Sequence, residues 1–267
     1  MNRQPSTAAL TIAGSDSGGG AGIQADLKTF EACGVYGASA LTCVTAQNPR
    51  GVRAIESLPA EFVAQQIRAV CDAFPIRVAK TGMLYSADII RAVAREDVRQ
   101  GIEVLVVDPV MVTSGGDRLL QADAVESLRS DLLPQARVVT PNLHEAEILI
   151  DHPISSVEEL AESAREIGER YDVGCVVKGG HLAGDEIVDV LYDEGESCTF
   201  RGKRVAANET HGAGCCFSAA LCAWLARGAL LREAVPQAKD YVSRAFELAA
   251  PVGSHLPLNF SAAAADD

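Results

Sequence analysis

The chain has 267 residues, 48% of them hydrophobic, which is enough to bury the core of one large domain; we expect a single domain over residues 1–267. It carries 23 Lys and Arg against 36 Asp and Glu, a formal net charge of -13. This charge repels nucleic acid and anionic lipid, so it argues against both as partners and confines any phosphate chemistry to a locally positive pocket.

Short apolar runs alternate with segments of helical periodicity as far as Gly180. The predicted strands are residues 9–13, 38–44, 76–80, 104–107, 138–140 and 175–178. The predicted helices are residues 23–33, 60–73, 87–95, 122–130, 145–149 and 156–170. This alternation is typical of a parallel sheet that helices cover on both faces.

The pattern changes after Gly180. Two strand-like segments, residues 187–192 and 197–200, flank the turn at 193–196 and predict a hairpin at the sheet edge. Helical segments at 214–226 and 231–249 follow, and for residues 262–267 we expect a loose acidic tail. The predicted fold is therefore α/β, with a mostly parallel central sheet, helices on both of its faces and an antiparallel edge hairpin.

Targeting signals and cysteine spacing indicate the compartment. The first seven residues lack a leader pattern and no run approaches 18 apolar residues, so we expect a cytoplasmic protein. The eight cysteines include no CxxC pair, and neither they nor the five histidines show metal-ligand spacing. We assign most cysteines to packing in a reducing compartment, namely Cys33, Cys43, Cys71, Cys175, Cys216 and Cys222.

Polar and glycine-rich segments follow the predicted strands. They are residues 14–22, 45–48, 81–83, 108–110, 141–145 and 179–181. Because ligands of open parallel sheets bind beyond the carboxyl ends of the strands, these segments should meet around one site. We therefore expect a ligand site at that edge of the sheet.

The glycine-rich loop at 14–22 fits neither common nucleotide motif. No frame of it reads GxGxxG, and the Gly-Lys pair at 202–203 is followed by Arg instead of Ser or Thr. The loop is either a flexible backbone that approaches a small ligand closely or a glycine-rich turn without a ligand.

A second glycine cluster, Gly212-Ala213-Gly214, precedes Cys215 and an apolar helix. Backbone N–H groups at a helix N-terminus form an anion hole that suits a phosphoryl group in transfer. The helix dipole also stabilises a thiolate in the first turn, so Cys215 is a candidate base toward a substrate hydroxyl. The alternative is a buried structural cysteine.

Four polar residues near strand ends are candidates for nucleotide and metal binding. Asn142 and Glu145 stand three residues apart at a helix start, which suits a metal-phosphate site or a simple N-cap equally well. Asp108 suits a metal or water ligand, or an acid that caps the next segment. Lys178 either reaches a nucleotide phosphate or is a solvated strand end.

Together these motifs resemble the hydroxymethylpyrimidine and hydroxymethylpyrimidine phosphate kinases of the ribokinase-like superfamily. The matching segments are AGSDSGGGAGIQADLKT at 13–29, AQN at 46–48, KTGML at 80–84, DPVMV at 108–112, TPNL at 140–143, VKGGH at 177–181 and THGAGC at 210–215. Many sugar kinases of the superfamily carry Asp where this chain has Cys215, which favours a heterocycle as substrate. Ala213 stands where the family often has Thr, and His144 where it often has Pro.

The resemblance implies an ATP- and Mg²⁺-dependent kinase that phosphorylates 4-amino-5-hydroxymethyl-2-methylpyrimidine, and then its monophosphate, for thiamine diphosphate biosynthesis. It implies that Gln47 binds the aminopyrimidine in a pocket lined by Gly14, Ala21, Asp26, Met83 and Val110. It assigns the phosphates and the metal to Lys178, Asn142, Thr210 and Glu145. Asp108 stays a second candidate metal ligand because of its position after a predicted strand. A homodimer is an expectation of the family.

Two alternatives stay open. Pyridoxal or pyridoxine kinases of the same fold also phosphorylate a hydroxymethyl group on an aromatic nitrogen ring. The amide of Gln47, which can both donate to and accept from an aminopyrimidine edge, favours the pyrimidine. A catalytically silent protein on the same scaffold would bind the heterocycle without turning over ATP.

Overall fold

A computed structural model of the chain describes residues 7–112, 119–121, 123–182, 184–204 and 211–261. Its central sheet has nine strands in the order β3-β2-β1-β4-β5-β6-β7-β8-β9. The strands are β1 (Ala8–Asp16), β2 (Tyr36–Asn48), β3 (Gly51–Ser57), β4 (Val78–Thr81), β5 (Val104–Val107), β6 (Val138–Val139), β7 (Gly174–Lys178), β8 (Glu186–Asp193) and β9 (Glu196–Lys203). Six neighbouring strands, from β2 to β7, are parallel, whereas β3, β8 and β9 run antiparallel to their neighbours.

Helices cover both faces of the sheet. They are α1 (Gly22–Ala32), α2 (Ala60–Ala73), α3 (Ala87–Ala94), α4 (Ala124–Ser127), α5 (Leu143–Ile150), α6 (Val157–Tyr171), α7 (Ala213–Ala226) and α8 (Leu231–Glu247). Helix α4 continues into a π-helical turn at Leu128–Leu132 and a 3₁₀ turn at Leu133–Gln135. No helix within the described ranges is long and apolar enough to cross a membrane.

The alternation of side chains along the strands divides the core into two layers. Leu105 and Val107 of β5 pack toward helices α2 to α6, whereas Val106 between them packs toward α1, α7 and α8. Successive side chains of a strand point to opposite faces, so a strand buried on both faces is apolar throughout. The apolar runs in the sequence are explained by this double burial, and the predicted α/β fold with its β8–β9 edge hairpin is confirmed.

The sheet has one strand more than predicted, at its other edge. Strand β2 continues through Gln47 and Asn48, which were expected in a loop, and pairs antiparallel with β3. All seven residues of β3 are exposed or half-buried, so the segment lacks the apolar run by which the other strands are recognised.

Most cysteines expected to pack in the core do so. Within the described ranges Cys71 is half-buried and Cys198 is exposed. The fully buried set consists of Cys33, Cys43, Cys175, Cys216 and Cys222.

Candidate active site

A cavity of about 730 Å³ follows the carboxyl edge of the parallel strands and continues past β7 to the antiparallel strands β8 and β9. Thr210 and residues 262–267 lie outside the described residues. The predicted site residues that line the cavity are Gly14, Ala21, Gln47, Met83, Asp108, Val110, Asn142, Glu145, Lys178, Gly212, Ala213, Gly214 and Cys215. Predicted residues from across the sheet are thus brought together, with the exception of Asp26.

At the β2 end of the cavity, the backbone and side chain of Gln47 are both held. The backbone N–H of Gln47 donates to Ser17 Oγ, which donates to the Gln47 carbonyl oxygen, both at 2.8 Å. The hydroxyl of Thr45 donates to the Ser15 carbonyl oxygen at 2.7 Å, and Thr45 Oγ1 lies 3.1 Å from the side-chain amide of Gln47. The amide of Gln47 lines the cavity together with Met83 and Val110, so it can offer both a hydrogen-bond donor and an acceptor to a ligand there.

The glycine-rich loop is organised around Asp16, a residue to which the sequence interpretation gave no role. Its carboxylate accepts hydrogen bonds from the backbone N–H groups of Gly18, Gly20 and Ala21 at 2.8, 3.1 and 2.9 Å. Its Oδ2 also lies 3.0 Å from His211 Nε2. Burial raises the pKa of Asp16, but the His211 and backbone hydrogen bonds outweigh burial and lower it, so the carboxylate stays ionised.

The second glycine cluster contacts the first. Gly212 has a φ of 84°, in the left-handed region, and a Cβ atom there would lie 1.8 Å from the carbonyl oxygen of Gly20. A Cβ at Gly214 would lie 3.3 Å from Lys178 Nζ. The N-terminus of α7 therefore lies between the loop after β1 and the end of β7, and its backbone N–H groups border the middle of the cavity.

Cys215 is half-buried in the first turn of α7 and lines the cavity. Burial raises the pKa of its thiol to about 11, against opposing effects of the Lys80 ammonium and the backbone N–H of Gly22. Desolvation is the largest effect on this thiol, and the stabilisation of a thiolate expected from the helix N-terminus acts against it. Its role as base remains a prediction that requires the thiol to lose its proton first.

Asp26 does not line the cavity, contrary to the resemblance-based expectation. It is fully buried, and both of its oxygens accept hydrogen bonds from Lys80 Nζ at 2.8 Å. Thr11 Oγ1 donates a third bond to it at 2.6 Å. Lys80, which the sequence interpretation did not assign, is the member of this pair that borders the cavity. Asp26 of α1 is therefore connected to the cavity through its ion pair with Lys80 of β4.

Asn142 and Glu145 form the N-cap that was one of their two interpretations. Asn142 Oδ1 accepts from the Glu145 N–H at 3.0 Å, and Glu145 Oε2 accepts from the Asn142 N–H at 2.8 Å. Burial raises the pKa of Glu145 to about 8; the Lys178 ammonium opposes this shift and the Asp108 carboxylate adds to it. The cap does not exclude a cation site, because positive charge beside this buried carboxylate would stabilise its ionised form.

Lys178 and Asp108 form an ion pair at the centre of the site. Lys178 Nζ lies 3.2 Å from Asp108 Oδ1, and Ser218 Oγ donates to Asp108 Oδ2 at 3.0 Å. Burial lowers the pKa of Lys178, but the Asp108 and Glu145 carboxylates outweigh it and raise the pKa. Lys178 therefore stays an ammonium, and the interpretation of it as a solvated strand end is wrong.

The β9 end of the cavity contains a third ion pair, which the sequence interpretation missed. Lys239 Nζ lies 2.6 Å from Asp189 Oδ2, and Asp189 Oδ1 accepts from the Gly179 N–H at 3.0 Å. Val242 and Phe246 of α8 supply an apolar wall. The pair links α8 to the backbone beside Lys178. In the sequence the pair is only a Lys in a helix and an Asp in a strand 50 residues earlier. Such a pair forms no local pattern, so it is recognised only in the folded structure.

The fold and this site together define a small-molecule kinase of the ribokinase-like class. A sequence model described as phosphomethylpyrimidine kinase matches residues 16–259. The chain belongs to this phosphomethylpyrimidine kinase family.

Curated relatives agree with this assignment. A hydroxymethylpyrimidine/phosphomethylpyrimidine kinase of Rhizobium meliloti is 48% identical over 242 residues, which are 90% of this chain and 91% of the relative. A thiamine biosynthesis bifunctional protein of Geobacter sulfurreducens is 46% identical over 98% of this chain. The chain spans about half of that bifunctional protein's length, 54%.

Solved structures of two related kinds are also similar. An ADP complex of Bacillus subtilis pyridoxal kinase aligns with a TM-score of 0.88 at 38% identity, over 96% of this chain and 98% of that one. A phosphomethylpyrimidine kinase of Clostridium difficile aligns with a TM-score of 0.78 at 40% identity, over 88% of this chain and 97% of that one.

Proposed function

We propose that the chain is an ATP-dependent kinase, formed by one domain, that phosphorylates 4-amino-5-hydroxymethyl-2-methylpyrimidine and then its monophosphate. The observation that carries the proposal is that one continuous cavity holds a side-chain amide, a helix N-terminus with a thiol, and a buried ammonium. The names of the curated relatives support the pyrimidine as substrate, and a nucleotide complex of a structural neighbour supports ATP as donor.

The β2 end of the cavity suits the heterocycle. Met83 and Val110 offer apolar contacts to a flat ring, and the Gln47 amide offers hydrogen bonds to its amino-substituted edge. The Asp16-centred loop holds Ala21 against the same space. A ring bound here would direct its hydroxymethyl group toward the N-terminus of α7, where Cys215 lies.

Phosphoryl transfer would take place between the hydroxyl and the β9 half of the cavity. Lys178 would hold phosphate oxygens, and the N–H groups from Gly212 to Gly214 would bind the charge on the moving phosphoryl group. Cys215, once deprotonated, would accept the hydroxyl proton. Positioning and charge neutralisation would supply most of the rate enhancement.

Asp108 and Glu145 would hold Mg²⁺. Mg²⁺ in kinases is bound by one or two carboxylates and by nucleotide phosphates, and these two buried carboxylates border the cavity next to Lys178. Burial is the main cause of the raised pKa of Glu145, and a cation bound beside it would lower that pKa and keep the carboxylate ionised. When bound, the ion would neutralise charge on the nucleotide phosphates.

Pyridoxal is the second candidate substrate. The likeness to pyridoxal kinase structures at TM-scores up to 0.88, one of them a Staphylococcus aureus enzyme in complex with pyridoxal, favours it. Curated relatives across the chain carry the pyrimidine name, which keeps the pyrimidine first.

The decisive experiment measures ATP turnover with the pyrimidine, its monophosphate and pyridoxal in parallel, in the presence of Mg²⁺. We expect both pyrimidine compounds to be phosphorylated, and Cys215→Ala to serve as the matched inactive control. Preferential turnover of pyridoxal would replace the pyrimidine by the second candidate. Binding of the heterocycle without any turnover would identify a silent scaffold.

A further inference from the structure

Asp189 of β8 and Lys239 of α8 form a buried ion pair at the edge of the cavity. Lys239 Nζ lies 2.6 Å from Asp189 Oδ2 and also donates a hydrogen bond to the Ile187 carbonyl oxygen at 3.2 Å. Both side chains are less than a tenth exposed. Neither residue takes part in the phosphoryl transfer proposed above, so the reason for a charged pair at this place is open.

Asp189 lies on the same face of the sheet as Lys178. The two residues are directly opposite each other in the antiparallel pair of β7 and β8, and opposite residues direct their side chains to one face. Val176 and Leu191, two positions further along each strand, share that face and pack in the core layer of α7 and α8. Asp189 and Lys178 therefore leave the sheet side by side beneath these two helices.

The second carboxylate oxygen of Asp189 holds the backbone next to Lys178. Asp189 Oδ1 accepts a hydrogen bond from the N–H of Gly179 at 3.0 Å. A Cβ atom at Gly179 would lie 2.0 Å from the Val188 carbonyl oxygen, so the chain passes close against β8 there. The N–H of Lys178 itself donates to the Pro141 carbonyl oxygen at 2.9 Å. The peptide groups on both sides of the Lys178 Cα atom are thus held by hydrogen bonds.

Stability alone gives little reason for a carboxylate at position 189. Desolvation of two charges is costly, and replacement of such a pair by well-packed apolar residues is often neutral or stabilising. Apolar side chains at positions 189 and 239 could fill the same space, but they would leave the Gly179 N–H without its acceptor. The hydrogen bond to Gly179 is therefore what a polar side chain at position 189 adds.

We propose that Asp189, held by Lys239, is a positioning residue for Lys178: it fixes the peptide group after Lys178 and so keeps the Lys178 ammonium directed at the nucleotide phosphates. The inference rests on the proposed role of Lys178 in phosphate binding. Lys178 Nζ lies 3.2 Å from Asp108 Oδ1, and a Cβ atom at Gly214 would lie 3.3 Å from it. With Asp108 on one side and the first turn of α7 on the other, a rotation of the Lys178 backbone would shift the ammonium away from one of them.

The first test compares two paired variants that differ in one hydrogen-bond acceptor. Asp189→Asn/Lys239→Met keeps an amide oxygen for the Gly179 N–H, whereas Asp189→Leu/Lys239→Met has a side chain of similar shape without an acceptor. Neither variant leaves a buried charge unpaired. The Kd of the ATP analogue AMP-PNP with Mg²⁺, measured by calorimetry without heterocycle, should rise about five-fold or more in the Leu variant. In the Asn variant it should stay within about two-fold of the unmodified protein. Equal affinity in the two paired variants would overturn the proposal.

The second test determines whether the effect passes through Lys178. Both paired variants are combined with Lys178→Met, and the difference between their AMP-PNP affinities should then shrink to less than about two-fold, because the positioned side chain is gone. A difference of full size in this background would mean that position 189 acts on the nucleotide without Lys178, and the proposal would fail. Asp193→Asn, which changes the ion pair with Arg137 at the other end of β8, is the control and should leave the Kd unchanged.

Heterocycle binding separates positioning from a structural role. If Asp189 positions Lys178, the Kd of the heterocycle should stay within about two-fold in both paired variants, whereas a structural defect would weaken both ligands together and reject the proposal. Asp189→Ala/Lys239→Met lacks the same acceptor and replaces the Leu variant if that variant does not fold. An unmodified protein that binds AMP-PNP but never phosphorylates the pyrimidine, with the contrast between the variants intact, would retain the role of Asp189 and reject the proposed substrate.

Discussion

Replacement of Cys215 by alanine tests the proposed mechanism most directly. A positioned base contributes roughly 10²- to 10⁴-fold to a rate, and the thiol lies half-buried beside the anion-hole amides of α7. Because the methyl group of alanine leaves those amides and the Gln47 pocket intact, we expect kcat to fall by about 10²-fold or more. The KM for the pyrimidine should change by less than about three-fold.

The raised pKa of the Cys215 thiol also predicts how the activity of the unmodified protein depends on pH. With a thiol pKa of about 11, roughly one molecule in 10⁴ carries the thiolate at pH 7, because each pH unit changes the ratio ten-fold. The value of kcat/KM should therefore rise about ten-fold per pH unit between about pH 7 and pH 8.5. In Cys215→Ala this rise should be absent.

The raised pKa of Cys215 also sets the upper pH limit of the assay. The folded pKa of Cys215 is raised above its ordinary value of 9.0, so its stabilising effect is complete below pH 9 and is lost as the pH rises through about 11. A coupled ADP-release assay below pH 9 avoids that loss, with Cys198→Ser as the control for a neutral cysteine change. Full activity of Cys215→Ala, or a flat pH profile in the unmodified protein, would refute Cys215 as the base.

Three further predictions concern the remaining parts of the site. Gln47→Ala should raise the Kd of the heterocycle by about ten-fold, measured by calorimetry, because one or two hydrogen bonds are lost; an unchanged Kd would remove Gln47 from the binding site. Gly212→Ala should lower kcat by more than about ten-fold, since its Cβ would meet the Gly20 carbonyl oxygen at 1.8 Å and displace the anion hole, whereas Gly228→Ala, also at positive φ but with open space around it, should retain activity. Removal of Mg²⁺ with EDTA should abolish turnover and readdition should restore it; turnover that persists in EDTA would contradict the metal role of Glu145.

The sequence predicts the layout of the sheet because double burial produces a signal that needs no partner. Apolar runs such as residues 104–107 are recognisable wherever they occur, and the order of strands and helices follows from them. Strand β3 cannot be predicted in this way, because it contains no buried apolar run. Its pairing with β2 depends on backbone hydrogen bonds at an exposed edge, and these leave little trace in composition.

Side-chain environments are predicted less well than positions. The sequence places Cys215 in a first helical turn, but the sign of its pKa shift depends on how much protein covers it and on Lys80, which is 135 residues earlier in the chain. Asn142 and Glu145 are an intermediate case. Their cap is local and is predicted from spacing, whereas the charge around Glu145 comes from Asp108 and Lys178 on other strands.

By itself, the sequence determined the α/β class, the edge of the sheet that carries the ligand site, and the residues at the strand ends. These depend on local periodicity and on the shared direction of parallel strands. Only the tertiary structure decided that Asp26 lies behind Lys80, that Asp16 joins both glycine loops, and which charges face Cys215. Ionisation depends on desolvation and on partners distant in the chain, and these are known only once the chain has folded.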